Sequence, residues 1–420
     1  MSDELRRTID AVWRMEAPRI VAAVARLVRD VGVAEDLAQD ALVAALEHWP
    51  TRGLPENPAA WLMATAKNKA LDRLRQAGLQ RRHREALGAD ADARGEHLTP
   101  DSSEEADRDD LGDDLLRLIF TACHPVLPKE AQVALTLKLL AGLTTAEIAR
   151  AFLQGEATIA QRIVRAKRTL SAARVPFEVP RGEQLHARLE SVLECIYLIF
   201  NEGYTATAGD DWMRPALCEE AMRLARMLAQ LVPQEREVHG LAALLELQAS
   251  RLKARTDAAG RPILLLEQNR ARWDWLLVGR GLAALETARS LGGVAGPYEL
   301  QAAIAACHSR ARRPEDTDWH AIVAAYNELM DIMPSPIVAL NRAVAVSRAA
   351  GPAAALPLVD ELVAGGKLQD YHLLPAVRGD LLVSLGRPSE ARAEFEAAAA
   401  LARNQREKDL LLERARASLS

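Results

Sequence analysis

Aromatic residues and cysteines are scarce in this 420-residue chain, and each scarcity excludes a class of structure. Only 4% of the residues are Phe, Trp or Tyr, so the hydrophobic core must consist mainly of aliphatic side chains. The four cysteines have neither the spacing of a zinc site nor the density of a disulfide framework. They are predicted to be reduced core residues of a cytoplasmic protein: Cys123, Cys195, Cys218 and Cys307.

Long apolar runs and a large charge excess are also absent. No segment is long and apolar enough to predict a transmembrane helix, and the N-terminus is charged where a signal peptide would be apolar. Net charge is only −5, so a surface that binds nucleic acid must be local and balanced by acidic residues elsewhere. The chain has no phosphate-binding glycine loop, HExxH pair or nucleophile elbow. We therefore expect no membrane association, no catalytic residues, no metal and no cofactor.

Helix-forming residues dominate what is present. Alanine, leucine, arginine and glutamate are the main components, while glycine and proline separate the helical segments. The hydrophobic fraction of 49% supports sizeable cores, and this length predicts about two or three domains. The predicted fold class is all-α.

The stretch from Leu143 to Leu170 has the pattern of a helix-turn-helix. Thr144 or Thr145 is predicted to cap a short first helix, and the turn is predicted at Gly155, which is free to adopt a positive φ. A second helix then opens at Thr158 with one apolar face. Its other face carries Gln161, Arg162, Arg165, Lys167 and Arg168.

This polar face suits DNA recognition in the major groove. Arginine forms bidentate hydrogen bonds with guanine, glutamine does so with adenine, and the other cations neutralise phosphates. An αα-hairpin with a solvated basic face is the alternative. The order of the capped helix, the glycine turn and the basic helix favours DNA recognition.

Three further segments precede the helix-turn-helix. A helix from about Ala34 to Trp49 has polar and acidic first turns, expected to be exposed, which either offset the helix dipole or bind a basic partner. The next helix, in NPAAWLMATAKNKALDRLRQ, has an apolar and a basic face; Trp61 near its start is expected in the core, with base stacking as the alternative. Residues 88–114 are acidic and poor in apolar residues, which predicts a flexible linker or a cover for a DNA-binding face.

The order of these segments resembles the extracytoplasmic-function class of bacterial RNA polymerase sigma factors. The order is the AEDLAQDAL helix, then AWLMATAKNKALDRLR, the acidic linker and the helix-turn-helix. The resemblance implies sigma region 2 in residues 1–87, a linker in 88–114 and region 4 in 115–175, followed by a helical extension in 176–420. It also implies promoter DNA and core RNA polymerase as partners, through the β′ clamp helices and the β flap.

The resemblance assigns roles to matching positions. Those implied to bind core polymerase are Glu35, Asp36, Leu37, Gln39 and Asp40. Those implied to melt and read the −10 element are Trp61, Lys67, Asn68, Asp72, Arg73 and Arg75. Those implied for the −35 element are Thr158, Gln161, Arg162 and Arg165, with Lys167 and Arg168 near the DNA backbone. Ala160 departs from relatives, which often have a polar or basic residue there, so the −35 base preference stays open.

A stand-alone helix-turn-helix regulator, with a C-terminal domain that senses a ligand or protein, is the alternative function. Region 2 distinguishes this alternative from a sigma factor, since a simple repressor needs neither the acidic docking helix nor the basic melting helix. Region 2 therefore favours a sigma factor.

The extension contains YLIFNEGYTAT, GPYELQAAIAACHSR, DTDW and SPIVALNRAVAV, which resemble a sigma subgroup with a tetratricopeptide-like extension. Independently, Gly351 and Gly386 lie 35 residues apart at apparent inter-helix turns, which fits helical repeats of about 34 residues from about residue 318. Such repeats form a concave surface for an unidentified protein or peptide. Trp273-Asp274-Trp275 is expected to pack between helices, with a small-molecule pocket as the alternative, and Cys307-His308 is expected in the core.

Overall fold

A computed structural model describes residues 3–87, 106–152, 154–205, 213–257, 261, 263–402 and 405–418. These residues form eighteen α-helices and no β-strand, which confirms the all-α prediction. No helix among them is both long enough and apolar enough to cross a bilayer. The chain divides into two compact units, Met1–Cys195 and Ile196–Ser420. Because the division falls inside α8 (Glu183–Tyr204), the first unit extends beyond residue 175, the predicted end of region 4.

The first unit begins with three long helices that pack on one another around an aliphatic core. Helix α1 spans Asp3–Val28, α2 spans Val31–Arg52 and α3 spans Pro58–Leu87. Asp30 caps α2 by accepting a hydrogen bond from the backbone N–H of Val33. Four shorter helices follow before α8: α4 (Ala106–Ala122), α5 (Lys129–Leu139), α6 (Thr145–Ala151) and α7 (Glu156–Ala172).

The predicted acidic linker is only partly within the described residues. Positions 88–105 lie outside them, but from Ala106 onward the segment is already helix α4. Asp114, almost fully buried, pairs with Arg117 at 2.6 Å and with Arg26 of α1 at 3.3 Å. These ion pairs allow Asp114 to be buried, because Arg26 of α1 and Arg117 of α4 neutralise its charge.

The described residues of the second unit form ten further helices. They are α9 (Pro215–Leu231), α10 (Arg236–Ala249), α11 (Trp275–Ser290), α12 (Pro297–Arg310), α13 (Trp319–Ile332), α14 (Pro336–Ala350), α15 (Pro352–Ala364), α16 (Leu373–Ser384), α17 (Pro388–Leu401) and α18 (Gln405–Ala417). Consecutive helices from α12 to α18 pack on each other. Short 3-10 turns lie between α10 and α11.

In two helix pairs of this unit, a glycine with a positive φ lies in the turn between the helices. Gly351 separates α14 from α15 with φ = 91°, and Gly386 separates α16 from α17 with φ = 72°. Only glycine adopts these left-handed values without strain. The prediction that both glycines mark inter-helix turns is therefore confirmed.

Gly379 provides a test of how these repeats pack. A Cβ atom at this position of α16 would lie 2.9 Å from Cε1 of Phe395, a buried residue of α17. Gly379→Ala is therefore expected to lower the free energy of unfolding by about 1–3 kcal/mol through overpacking. Chemical unfolding followed by circular dichroism measures the change.

Gly279→Ala is the matched control, because this helical glycine of α11 has nothing within 4 Å of an added Cβ. That substitution should raise the free energy of unfolding by about 0.5–1 kcal/mol, since alanine is the better helix former. Equal unfolding midpoints for the two variants would contradict the close packing of Phe395 against Gly379.

Candidate functional site

The first helix of the predicted helix-turn-helix, α6, is fixed by a reciprocal cap. The hydroxyl of Thr144 accepts a hydrogen bond from the backbone N–H of Glu147 at 3.1 Å, and the Glu147 carboxylate accepts one from the N–H of Thr144 at 2.8 Å. This is a capping box, with Thr144 as the cap. Burial opposes ionisation of Glu147, but the bonds from Thr144 and the nearby Arg14 outweigh it and lower its pKa.

The turn between α6 and α7 differs from the prediction. Gly155 has φ = −65° and ψ = 139°, an extended conformation, so it does not adopt the positive φ that is open to glycine. Gly155 serves as the N-cap of α7, which begins at Glu156 rather than Thr158. Glycine is acceptable at an N-cap as well as in a left-handed turn, and the local sequence did not distinguish the two.

Helix α7 has one buried face and one polar face, as predicted. Its buried residues are Ile159, Ile163, Ala166 and Leu170. On the other face Thr158, Gln161, Arg165 and Arg168 are exposed, whereas Arg162 and Lys167 are half-buried. Val164 lies among them and is 45% exposed. The sequence interpretation did not include it, although the helical period of the buried residues places Val164 on the exposed face.

Three guanidinium groups on this face have no competing partner. Arg162, Arg165 and Arg168 form no side-chain hydrogen bond or ion pair with any described residue. Arginine binds base edges and phosphates through several N–H groups in a fixed plane. The face is therefore free to donate hydrogen bonds to a nucleic acid, and Val164 adds an apolar group suited to a thymine methyl.

The residues predicted to bind polymerase divide into two groups. Asp36, Gln39 and Asp40 are exposed on α2, whereas Leu37 is buried. Glu35 is only 5% exposed, so the expectation that it faces solvent is wrong. Its carboxylate lies 3.7 Å from Nζ of Lys138, forms an ion pair with Lys167, and accepts a hydrogen bond from Gln39 at 2.8 Å.

The Glu35–Lys167 pair joins the two predicted surfaces. Lys167 belongs to the face of α7 predicted to lie near DNA, and Asp36 of the acidic face also lies 3.8 Å from its Nζ. The ammonium group of Lys167 has three N–H donors, so a DNA phosphate would share this cation with the carboxylates of α2.

The predicted −10 residues lie along α3. Trp61 is half-buried, and its ring packs edge-on against Trp49 at 5.4 Å between centroids, in agreement with a core role. Lys67 is half-buried, and the remaining four are exposed: Asn68, Asp72, Arg73 and Arg75. Arg75 pairs with Asp72 at 3.0 Å, a surface contact worth little to stability.

No metal-binding arrangement is found in the described part of the chain, where no three His, Cys, Asp or Glu side chains are grouped to hold an ion. Cys123, Cys195 and Cys218 are buried free thiols, and Cys307 is a half-buried one. These positions agree with the expected core role.

Comparison with family profiles divides the chain into three parts. The profile described as Sigma-70 region 2 matches residues 12–80, and that described as Sigma-70, region 4 matches residues 117–170. A family of unknown function, DUF6596, matches residues 188–289. The first two matches contain every residue assigned above to polymerase or DNA.

Similar proteins come from several bacteria. The chain is 44% identical over 403 residues to Uncharacterized protein R00370 of Rhizobium meliloti, covering 95% of this chain and 93% of that one. It is 30% identical to the ECF RNA polymerase sigma factor SigK of Mycobacterium ulcerans, over 36% of this chain and 78% of that one. It is 27% identical to the Probable ECF RNA polymerase sigma factor SigI of Mycobacterium tuberculosis, over 41% of this chain and 57% of that one.

Among solved structures, a tetratricopeptide repeat protein from Parabacteroides merdae aligns with 65% of this chain and 98% of its own, at 14% identity and a TM-score of 0.34. Yeast Tom70 aligns with 99% of this chain and 85% of its own, at 11% identity and a TM-score of 0.30. These scores are too low to support any argument about function.

Proposed function

Because the chain belongs to the extracytoplasmic-function sigma factor family, we propose that it directs RNA polymerase to particular promoters by docking α2 on the polymerase and reading the −35 element with α7. Sigma factors act by binding and are not enzymes. One observation supports the roles of the helices above all: α7 presents three arginines without partners, in a chain that also contains region 2. A stand-alone DNA-binding regulator has no use for region 2.

The surfaces available to each partner are distinct. We assign the exposed Asp36, Gln39 and Asp40 to the β′ clamp helices, and the exposed basic side of α3 to the −10 element. The exposed polar face of α7 is assigned to the −35 element, and region 4 as a whole to the β flap. Leu37 supports the α2 surface from inside the core.

Transcription in vitro with purified core polymerase and a genomic template library tests this function. The expected result is a set of start sites that share upstream sequence elements and disappear without the chain. Arg162→Ala/Arg165→Ala serves as the matched variant, because it should change which templates are used while leaving polymerase binding intact. Specific DNA binding by the free chain with no promoter-directed transcription would favour the stand-alone regulator.

Lys167→Ala is expected to weaken binding to all DNA sequences and to reduce the slope of log affinity against log salt by about 1. The reason is the loss of one phosphate contact without loss of a base contact. Fluorescence anisotropy of the polymerase complex with promoter DNA over a salt series measures both quantities.

Lys138→Ala is the control for this prediction, since Lys138 also pairs with Glu35 but lies on α5. Loss of the Glu35 ion pair alone would affect both variants, whereas a DNA contact affects only Lys167→Ala. Equal salt slopes in the two variants would remove Lys167 from the DNA interface.

We also propose that the C-terminal extension modulates the sigma module. Helix α8, at the start of the extension, supports this, because its residues up to Cys195 belong to the first unit. Its first half belongs structurally to region 4: Arg188 donates a hydrogen bond to the carbonyl of Phe120 at 2.6 Å, and Ser191 donates one to the carbonyl of Cys123 at 3.0 Å.

A truncation that tests this must therefore keep α8. A chain ending at Thr205 retains these contacts, whereas one ending at Arg174 would lose them. Circular dichroism and melting establish that the shortened chain is folded, and promoter-specific transcription is then compared with the full chain. A folded truncation with unchanged activity, unaffected by the extension added in trans, would rule out modulation.

A further inference from the structure

Several sequence segments that have no role in the sigma function meet at one place in the second unit. Between α10 and α11 lie three buried arginines, Arg251, Arg255 and Arg270, which we call the buried arginine cluster. The side chains around it come from NEGYTAT, WDW, CHSR and DTDW: Tyr204, Trp273, His308 and Thr317.

Cations and aromatic rings alternate through the cluster. The guanidinium carbon of Arg255 lies 3.6 Å from the ring centroid of Tyr204. That of Arg251 lies 5.9 Å from Tyr204 and 6.0 Å from Trp273, and that of Arg270 lies 5.1 Å from Trp273. Cation–π contacts of this kind partly compensate the loss of hydration of a buried guanidinium.

Two guanidinium groups of the cluster have no carboxylate within ion-pair distance among the described residues, although Asp316 and Glu315 act on Arg270 from farther away. Arg251 and Arg270 are 8% and 5% exposed, yet neither forms an ion pair with a carboxylate in the described ranges. Buried charges are normally paired, because removing them from water is costly. Burial, followed by the charge of Arg251, lowers the pKa of Arg270.

His308 adds no charge of its own. Burial, and after it the charges of Arg251 and Arg270, lowers the pKa of His308 to about 3. Its imidazole is therefore neutral near pH 7 and adds no charge to the cluster.

Hydrogen-bond donors in the cluster are also unsatisfied. Nε of Arg251, Nε of Arg270 and Nε1 of Trp273 are buried without an acceptor among the described residues. Nδ1 of His308 is unpartnered as well. Buried polar groups in native proteins nearly always have partners, so several unsatisfied donors beside unpaired cations require an explanation.

A purely structural role explains only part of this arrangement. Arg270 donates hydrogen bonds to the carbonyls of His308, at 2.7 Å, and Ala311, and to Thr317 at 3.2 Å, so it holds the segment after α12. Arg251 donates to Gln248. These neutral acceptors engage both terminal nitrogens of Arg270 but only one of Arg251, and they leave the charge and the Nε donors uncompensated.

We propose that the buried arginine cluster is a binding site for the phosphate group of a small molecule. A phosphate monoester carries a charge of about −1.5 to −2 near neutral pH, which matches two guanidinium groups, whereas a carboxylate matches one. Arginine binds phosphate through paired N–H groups, and the indole N–H of Trp273 is a further donor. The proposal is independent of the sigma function and concerns the extension alone.

Thermal unfolding and isothermal titration calorimetry of the full-length chain, with inorganic phosphate as the probe, test the site. Since the donors are buried, the samples are equilibrated overnight, and chloride at equal ionic strength is the reference. The unfolding midpoint should rise with phosphate concentration, as mass action requires for a ligand of the native state. Arg251→Gln should weaken phosphate binding at least about tenfold, since charged hydrogen bonds are lost.

Two further variants separate binding from folding. Trp273→Phe keeps a buried ring but removes the N–H, and should also weaken phosphate binding even if Arg251→Gln fails to fold. Arg280→Gln makes the same charge change at an exposed position of α11 and should leave binding unchanged.

Three results would overturn the proposal. The first is a wild-type chain whose midpoint in phosphate equals that in chloride. The second is full phosphate binding by folded Trp273→Phe and Arg251→Gln, which would reduce the cluster to a structural clamp. The third is a larger stabilisation by acetate than by phosphate, which would assign the site to a carboxylate.

Discussion

Asp36→Lys/Asp40→Lys is expected to weaken binding of the chain to core RNA polymerase by roughly 2 to 5 kcal/mol, the range for charged groups desolvated at an interface. Both residues lie on the exposed side of α2, one turn apart, and the side chain of Asp36 is 72% exposed. Two carboxylates in this position form a compact negative surface for a basic partner. Reversing both replaces attraction by repulsion.

The measurement is an equilibrium titration of labelled chain with core polymerase at fixed salt. Glu47→Lys/Glu56→Lys is the matched control, because it makes the same net charge change at exposed positions of the first unit outside the predicted docking surface. Reversal of Asp36 also places a cation near Lys167, so melting curves must show that the variant remains folded. Equal affinities for the two double variants would exclude docking through the acidic face of α2.

Arg162→Ala and Arg165→Ala are each expected to reduce discrimination between correct and altered −35 sequences by about 1–3 kcal/mol. The physical reason is the loss of the paired hydrogen bonds that we propose each guanidinium makes to a base edge, since neither has a side-chain partner among the described residues. Affinities of the polymerase complex for a panel of single-base −35 variants provide the measurement.

Arg168→Ala is the comparison variant for this prediction, because Arg168, like Arg165, is exposed on α7 but is assigned to the DNA backbone. It should lower affinity for every sequence alike and reduce the salt slope by about 1. If all three variants retained the wild-type order of preferred −35 sequences, α7 would not be the recognition helix.

Local features of the helix-turn-helix were predictable from sequence where one interaction dominates. A threonine followed three residues later by glutamate forms a capping box whatever the rest of the fold, and the capped start of α6 follows directly. The period of Ile159, Ile163 and Leu170 likewise fixed the two faces of α7. The backbone of Gly155 was not predictable, because glycine tolerates both the extended and the left-handed conformation.

Exposure of the acidic face depended on residues far away in sequence. The sequence predicted that all polar side chains in the first turns of α2 are exposed, and the exposure of Asp36 and Asp40 is confirmed. Glu35 is buried because Lys138 of α5 and Lys167 of α7 approach its carboxylate. No pattern within α2 contains that information.

The sequence by itself therefore determined the all-α class, the glycine turns of the repeats and the faces of α7, since each depends on interactions within one or two turns of the chain. Only the tertiary structure decided which charges are buried and what they contact. The Glu35–Lys167 pair joins residues more than a hundred positions apart, and the buried arginine cluster collects side chains from Tyr204 to Thr317. Such contacts are set by how helices pack, because the free energy of a buried charge depends on every group that surrounds it.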